Sequence, residues 1–424
     1  MFRLARGFPR VLPAPLPVSL IPGPQDVVLD EKGTQHRLTT GLGGGGEGKV
    51  FLTNTGMACK VYSKARLTEG VKTKLQLMRT APFAREGLCW PRSVAFNTRG
   101  EFVGYLMDRA QGREIQKCLF IKPLLLQHFP HWDRCNLVDL VISILDIIQS
   151  LHSENVLLGD INPLNTLVDD RGRAYFVDTD SYQIEDFPCP VGTPTFLAPE
   201  LAGRQLSEVL RTPAQESFAV STLVFMLLMP GKPPYSHAGG TDPAQNVRKR
   251  HFPYNLGEKR GVDVPAGPWR FIWSHFPYRL KEKFHQVFAG QSRPDVSDWL
   301  DVLRQYRYDL EAGHVSSEIF PTSFKQLNQQ QVEAKGGKWL RCMNSHCPNG
   351  GYYGEFRLQD AKQIQLCPVC RHKVWIRARC IEPLCPSPEF TIKLGEKLYV
   401  ERRGLEMPKR CERCRKARRE RPSY

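Results

Sequence analysis

No stretch of about 18 uninterrupted apolar residues occurs in the 424-residue chain, the length a helix needs to span a bilayer. The longest apolar run, around Phe218–Met229, is short enough to be a buried helix. No membrane span is therefore expected. The N-terminus lacks the uninterrupted apolar core of a secretory signal, because Pro13, Pro15, Pro17, Pro22 and Pro24 break it. Residues 1–33 read as a disordered Pro-rich leader, with an organellar transit segment as the alternative. Acidic residues are outnumbered: 43 Asp and Glu face 59 Lys and Arg, a net charge of +16. From Glu401 to Tyr424 there are ten Lys/Arg against four Glu. This tail reads either as a solvated segment or as a surface for an anionic partner such as nucleic acid.

Cysteine is sparse over the first 340 residues: Cys59, Cys89, Cys118, Cys135 and Cys189 are scattered, with no paired spacing. The other eight fall later in regular pairs. That distribution points to metal binding in a reducing compartment, hence a cytoplasmic location, rather than to a disulfide scaffold.

What is present is first a strand-rich half. His36–Thr40, Lys49–Thr53, Met57–Tyr62 and Phe102–Met107 carry strand character, and Thr68–Arg79 has helical spacing. Leu137–His152 is an amphipathic helix with Leu137, Leu140, Val141, Ile144, Leu145, Ile148 and Leu151 on one face. Short strands recur at Thr166–Val168 and Ala174–Val177. Helices dominate from Phe218 to about Tyr308, including Lys281–Val287 and Asp295–Tyr306. Strands followed by helices predict a two-lobed α+β domain.

Leu42-Gly43-Gly44-Gly45-Gly46-Glu47-Gly48-Lys49-Val50 fits G-x-G-x-x-G-x-V. Glycines without Cβ atoms let backbone N–H groups approach phosphate oxygens, although a glycine run alone is also what a flexible loop looks like. The next strand carries Ala58-Cys59-Lys60. Further on come Gly159-Asp160-Ile161-Asn162-Pro163-Leu164-Asn165, Val177-Asp178-Thr179-Asp180, Gly192-Thr193 and Ala198-Pro199-Glu200.

In this order and spacing the motifs resemble the protein-kinase superfamily, over about residues 34–308. The combination Gly-Asp-Ile-Asn-Pro-x-Asn, Asp-Thr-Asp-Ser and Pro-x-Gly-Thr-Pro, with Trp90-Pro91 and Gly104-Tyr105-Leu106-Met107, looks like an atypical group of bacterial Ser/Thr-kinase-like proteins. The resemblance implies roles. Leu42, Gly43, Gly44, Gly45, Gly46, Glu47, Gly48 and Val50 would cover ATP, and Lys60 would hold its phosphates. Asp160 would accept the hydroxyl proton or orient the nucleophile. Asn165 and Asp178 would offer oxygen ligands to Mg²⁺. Glu69 is the candidate helix partner of Lys60, Glu216 the candidate brace of the catalytic loop, and Arg293 the expected buried partner of Glu200. Thr193 favours Ser/Thr over Tyr. Departures accompany the match. Leu158 and Gly159 replace His and Arg before Asp160, Asn162 replaces a lysine, and Thr179-Asp180 replaces Phe-Gly, adding a carboxylate near the metal site.

Cys342-x4-Cys347 precedes Cys367-x2-Cys370, and Cys380-x4-Cys385 precedes Cys411-x2-Cys414. The repeat reads as two zinc-ribbon-type modules holding two Zn²⁺, each through four thiolates. Disulfides or an iron–sulfur cluster are the alternatives to zinc, and cross-braced pairing stays open, as do His346 and His372 as substitute ligands. Tyr352, Tyr353, Phe356 and Trp375 beside Arg357, Lys362, Arg371 and Lys373 could stack on bases, but coverage of the modules' small cores is the favoured reading.

The expected architecture is thus a leader over residues 1–33, a kinase-like domain over 34–310, a polar linker over 311–338 containing Gln326, Gln329, Gln330 and Gln331, one zinc ribbon over 339–376, and a second with the basic tail over 377–424. The expected function is ATP- and Mg²⁺-dependent phosphorylation of Ser/Thr in a protein substrate recruited by the ribbons. A nucleotide-binding pseudokinase scaffold acting through its ribbons is the alternative.

Overall fold

Short runs rich in Val, Phe, Tyr and Thr build the N-terminal sheet. In the computed structural model, which describes residues 14–80, 85–240, 242–256, 263–325, 329–334, 336–347, 352–355, 365–367, 370–371, 373–385 and 388–419, strands β1 (Val27–Leu29), β2 (Gln35–Gly45), β3 (Gly48–Thr53), β4 (Ala58–Tyr62), β5 (Pro91–Phe96) and β6 (Phe102–Met107) close into a barrel. Their order around it is β1-β2-β3-β4-β6-β5. All pairings are antiparallel. Every residue of β4 and β6 is buried. Helix α1 (Glu69–Thr80) turns Leu75 and Met78 inward.

The leader expected to be disordered is not so over residues 14–33. Val27 pairs with Arg37 and Leu29 with Phe96, so β1 closes the barrel. Val18 is buried, the Leu16 N–H donates to the Leu67 carbonyl at 2.6 Å, and Asn97 Nδ2 donates to the Leu20 carbonyl at 2.8 Å. Three apolar residues are too short a run to register as a strand beside so many prolines, yet proline is compatible with extended chain. Residues 1–13 lie outside the described residues.

Then follow α2 (Ile115–Cys118), α3 (Lys122–His128), α4 (Arg134–Ser153), α5 (Pro213–Leu228), α6 (Pro243–Lys249), α7 (Trp269–His275), α8 (Tyr278–Phe288) and α9 (Val296–Glu311), with a small sheet of β7 (Arg113–Glu114), β8 (Thr166–Val168) and β9 (Ala174–Phe176) in that order. Capping boxes start three of these helices, at Asp133, Thr212 and Asp295. The seven apolar residues expected on the face of α4 are all buried. Among the described residues α4 alone is long and apolar enough to cross a bilayer, and half of its apolar window is packed inside the unit. Helix α5 is apolar on all sides and buried from Glu216 to Leu228, as a central core helix must be. Phe225 on α5 meets Phe284 at 5.0 Å and Phe288 at 5.6 Å, edge to face.

The chain divides into two compact units, residues Met1–Pro321 and Thr322–Tyr424. The first extends past the expected end at 310. Buried Arg134 donates from Nη1 to the Leu228 carbonyl at 2.6 Å and from Nη2 to the Ile319 carbonyl at 2.5 Å, tying 317–319 to α4 and α5. The polar composition of that stretch hid this, because the tie uses backbone carbonyls.

In the second unit, α10 (Gln329–Ala334) occupies part of the expected linker, while Gln326 lies outside the described residues. Two ribbons follow: β10 (Lys338–Arg341) with β11 (Tyr352–Glu355), and β12 (Val374–Arg379) with β13 (Glu389–Lys393). Then come α11 (Leu394–Arg402) and α12 (Glu412–Arg419). The expected boundary at 376/377 cuts through β12, and Leu394 and Leu398 of α11 pack against the core around Cys342, Tyr353 and Cys367. The helix of the second module therefore packs on the core of the first.

Candidate functional site

The glycine run forms the tip of the β2–β3 hairpin, with Gly45 opposite Gly48. At Gly48 a Cβ would lie 2.3 Å from the Val61 carbonyl oxygen, so only glycine fits. Gly43, Gly45 and Gly46 face open space, with nothing within 4 Å of where a Cβ would sit. Protein packing does not demand glycine there, whereas close approach of a ligand to the backbone would.

These glycines line a cavity of about 1130 Å³, together with Lys60, Asp160, Asn162, Asn165 and Asp178. Val50, Ala58, Met107, Leu167 and Val177 supply an apolar wall. The lining therefore combines apolar side chains with a lysine, carboxylates and amides, the composition of a small-molecule site. Every residue expected at the nucleotide or catalytic site from sequence lines this one cavity.

Lys60 is buried on β4 and carries a carboxylate shell. Its Nζ lies 2.9 Å from Asp180 Oδ1, 3.2 Å from Asp178 Oδ1 and 3.7 Å from Glu47 Oε2. Burial works to lower its pKa, but Asp180, Asp178 and Glu47 outweigh that and hold it above the ordinary lysine value. Glu69, the expected partner, sits instead at the start of α1 and pairs with Lys72 at 3.9 Å. Asp180 is buried too; burial raises its pKa, yet Lys60 and the hydroxyls of Tyr62 and Tyr105 bring it down to about 2. The carboxylate expected near Asp178 is thus beside it, with its oxygens taken by Lys60, Tyr62 and Tyr105.

Asp178 adopts a left-handed backbone, φ 56°, and keeps a half-exposed side chain facing the cavity. Its carboxylate and the Asn165 amide, which lines the same cavity, are hard oxygen donors of the kind a Mg²⁺ ion takes. Asp160 Oδ1 accepts from the Thr193 N–H at 2.7 Å and from Thr193 Oγ1 at 2.8 Å.

Glu216 on α5 braces this loop as its sequence position suggested. It accepts from the Leu158 N–H at 3.0 Å and the Gly159 N–H at 2.6 Å, and its Oε1 lies 2.8 Å from His152 Nε2. Gly159 stands where arginine was expected, with φ +70°, and a Cβ there would meet Cys189 at 2.3 Å and Arg211 Nη1 at 2.9 Å. The buried Arg211 guanidinium thus lies beside the position left without an arginine. It donates to the Cys189 carbonyl at 3.4 Å and to the Val191 carbonyl, while its Nε and Nη1 find no partner among the described residues. Sequence reasoning missed Arg211, which belongs to no motif. Glu200 and Arg293 do meet, at 3.3 Å, but Glu200 is 44% exposed, so the pair is not the buried one expected.

The eight late cysteines gather into two clusters, Cys342/Cys347/Cys367/Cys370 and Cys380/Cys385/Cys411/Cys414. Pairing is consecutive, not cross-braced. The same contacts recur in each. The third cysteine's N–H donates to the first's sulfur at 3.4 Å, and the second and third sulfurs are 3.6 and 3.7 Å apart. A disulfide needs about 2.05 Å, whereas a Zn²⁺ tetrahedron with Zn–S of about 2.3 Å has edges of roughly 3.8 Å. The donor sets fit two zinc ions. His346 is exposed and outside both clusters. Tyr353 is buried as a core residue, but Tyr352 and Trp375 are exposed, against the favoured reading of these aromatics. Phe356, Arg357, Lys362 and His372 lie outside the described residues.

Sequence comparison points the same way. The chain is 27% identical over 306 residues, 66% of its length, to Protein kinase YegI of Escherichia coli O157:H7. It is 26% identical over 320 residues to Protein kinase YegI of Escherichia coli strain K12. The chain is similar to an atypical bacterial kinase-like family. The aligned regions span 46% and 48% of these relatives, so the similarity covers about half of each. No family model matches the chain.

Proposed function

We propose that the first unit is a protein-kinase-like domain that binds ATP with Mg²⁺ and phosphorylates Ser or Thr in a protein, and that the second, holding two structural zinc ions, recruits the substrate. The observation that carries this reading is the convergence of the glycine hairpin, Lys60, Asp160, Asn165 and Asp178 on one cavity. ATP when bound supplies the phosphoryl group, with Mg²⁺ neutralising its charge. Lys60 offsets phosphate charge, Asn165 and Asp178 hold the ion, and the glycine backbone covers the phosphates. Asp160 uses Oδ1 on Thr193, which leaves Oδ2 to accept the proton of an incoming hydroxyl. Residues from 322 onward carry 22 Lys/Arg and 10 Asp/Glu, a net of +12, which favours acidic protein segments or nucleic acid as partners of the second unit.

A scaffold that binds nucleotide without transfer is the second reading. Asn162 favours it, because it lines the cavity without the cation that assists transfer. Labelled ATP tests both. Transfer to protein by the natural chain, lost in Asp160→Asn with nucleotide binding kept, supports the kinase. Binding without transfer supports the scaffold, and absence of nucleotide binding rejects both.

A further inference from the structure

The residue that holds Lys60 in place comes from the single 3-10 turn Thr179–Ser181 after β9, not from α1. Asp180 Oδ1 accepts from Lys60 Nζ at 2.9 Å and from the Tyr105 hydroxyl at 2.9 Å. Its Oδ2 accepts from Lys60 Nζ at 3.1 Å and from the Tyr62 hydroxyl at 2.7 Å. All three donors stand on barrel strands, and Lys60 and Tyr105 are direct cross-strand neighbours. The turn that presents Asp180 is itself pinned, because Thr179 Oγ1 donates to the Cys89 carbonyl at 2.8 Å. The left-handed backbone at Asp178 separates two tasks. The Asp178 side chain is 46% exposed and faces the cavity, whereas that of Asp180 is 2% exposed and turned into the barrel. Helix α1 offers no substitute: Glu69 pairs with Lys72, and the charged residue α1 buries is a cation, Lys74.

We infer that Asp180 is the positioning residue for Lys60, that it replaces a carboxylate on α1, and that the nucleotide lysine is therefore held ready whatever the position of α1. The inference rests on the reading of the cavity as a nucleotide site. A barrel-borne lysine locked by a loop carboxylate and two tyrosines has no moving part in α1, so displacement of that helix is not the means by which this site is switched.

The test uses the full chain with Asp180→Asn, which keeps shape and removes charge, and with Glu69→Gln. One readout is affinity for a fluorescent ATP analogue with Mg²⁺. The other, independent of nucleotide, is acylation of Lys60 by an amine-reactive reagent, mapped by mass spectrometry. Asp180→Asn should weaken the analogue at least tenfold and raise Lys60 labelling severalfold, with Glu69→Gln matching the parent in both. Should Asp180→Asn fail to fold, Tyr62→Phe with Tyr105→Phe loosens the same carboxylate and should shift both readouts in the same direction. Unchanged Lys60 labelling in Asp180→Asn or in the tyrosine pair, or an equal effect of Glu69→Gln, overturns the inference. If the parent binds no nucleotide the functional reading fails, and the labelling experiment still decides the anchor.

Discussion

Lys74 gives a stability prediction with a sign and a size. It lies on the buried face of α1, 8% exposed, and makes no ion pair among the described residues. Burial is the main cause of a pKa lowered from 10.5 to about 8; Arg66 acts in the same direction, while Cys189, Asp180 and Glu47 oppose it. Below pH 8 the lysine is charged in both folded and unfolded chains, and the cost of burying that charge is carried in full. Between pH 8 and 10.5 the folded form loses its proton first and the cost fades; above 10.5 both forms are neutral. A lowering of this size corresponds to about 3 kcal/mol at pH 7. Lys74→Met, similar in length and apolar, should therefore stabilise the first unit by up to about 3 kcal/mol, or roughly 4–5 °C in Tm for a unit of this size. The assay is calorimetry of parent and variant from pH 7 to 10, with Lys72→Met as a control on the more exposed side of α1. The gap between parent and Lys74→Met should narrow steadily above pH 8. A variant that melts at or below the parent at pH 7, or a gap indifferent to pH, would show that the buried amine is solvated or paired and would refute the reasoning.

Glu216→Ala removes the acceptor of two buried N–H groups at the catalytic loop and should cost about 3 kcal/mol by denaturant unfolding, with turnover lost by more than the fall in stability explains. Arg293→Ala should cost only about 1 kcal/mol or less, because its pair with Glu200 is partly exposed; a loss of several kcal/mol would mean that the pair is shielded after all. Purified chain should contain two zinc ions by elemental analysis, falling to about one in Cys367→Ser with Cys370→Ser, and both should be released on acidification as the thiolates protonate. A zinc-free chain with oxidised cysteine pairs would overturn that assignment. Lys60→Met should lose nucleotide affinity with the fold intact, and unchanged binding would sink its assigned role.

The sequence alone determined those features whose physics is local. The glycine spacing, the 3.6-residue apolar period of α4, the Asp160-to-Asn165 interval and the duplicated cysteine pairs all follow from what a short segment must do. Glycines admit backbone to a ligand, a helix buries one face, and a thiolate pair seizes one side of a metal. The tertiary structure decided what depends on which distant residues meet. Glu69 lay at a plausible helix position for Lys60, yet Asp180, 120 residues further along the chain, takes the place, because the turn after the left-handed Asp178 carries it under the barrel. Arg211 stands beside Gly159 without belonging to any motif, and Val27–Leu29 closes the barrel although three residues are too few for a periodic signal. Charge neutralisation and sheet closure are settled by proximity in space, and one chain order is compatible with several such partners until the fold selects among them.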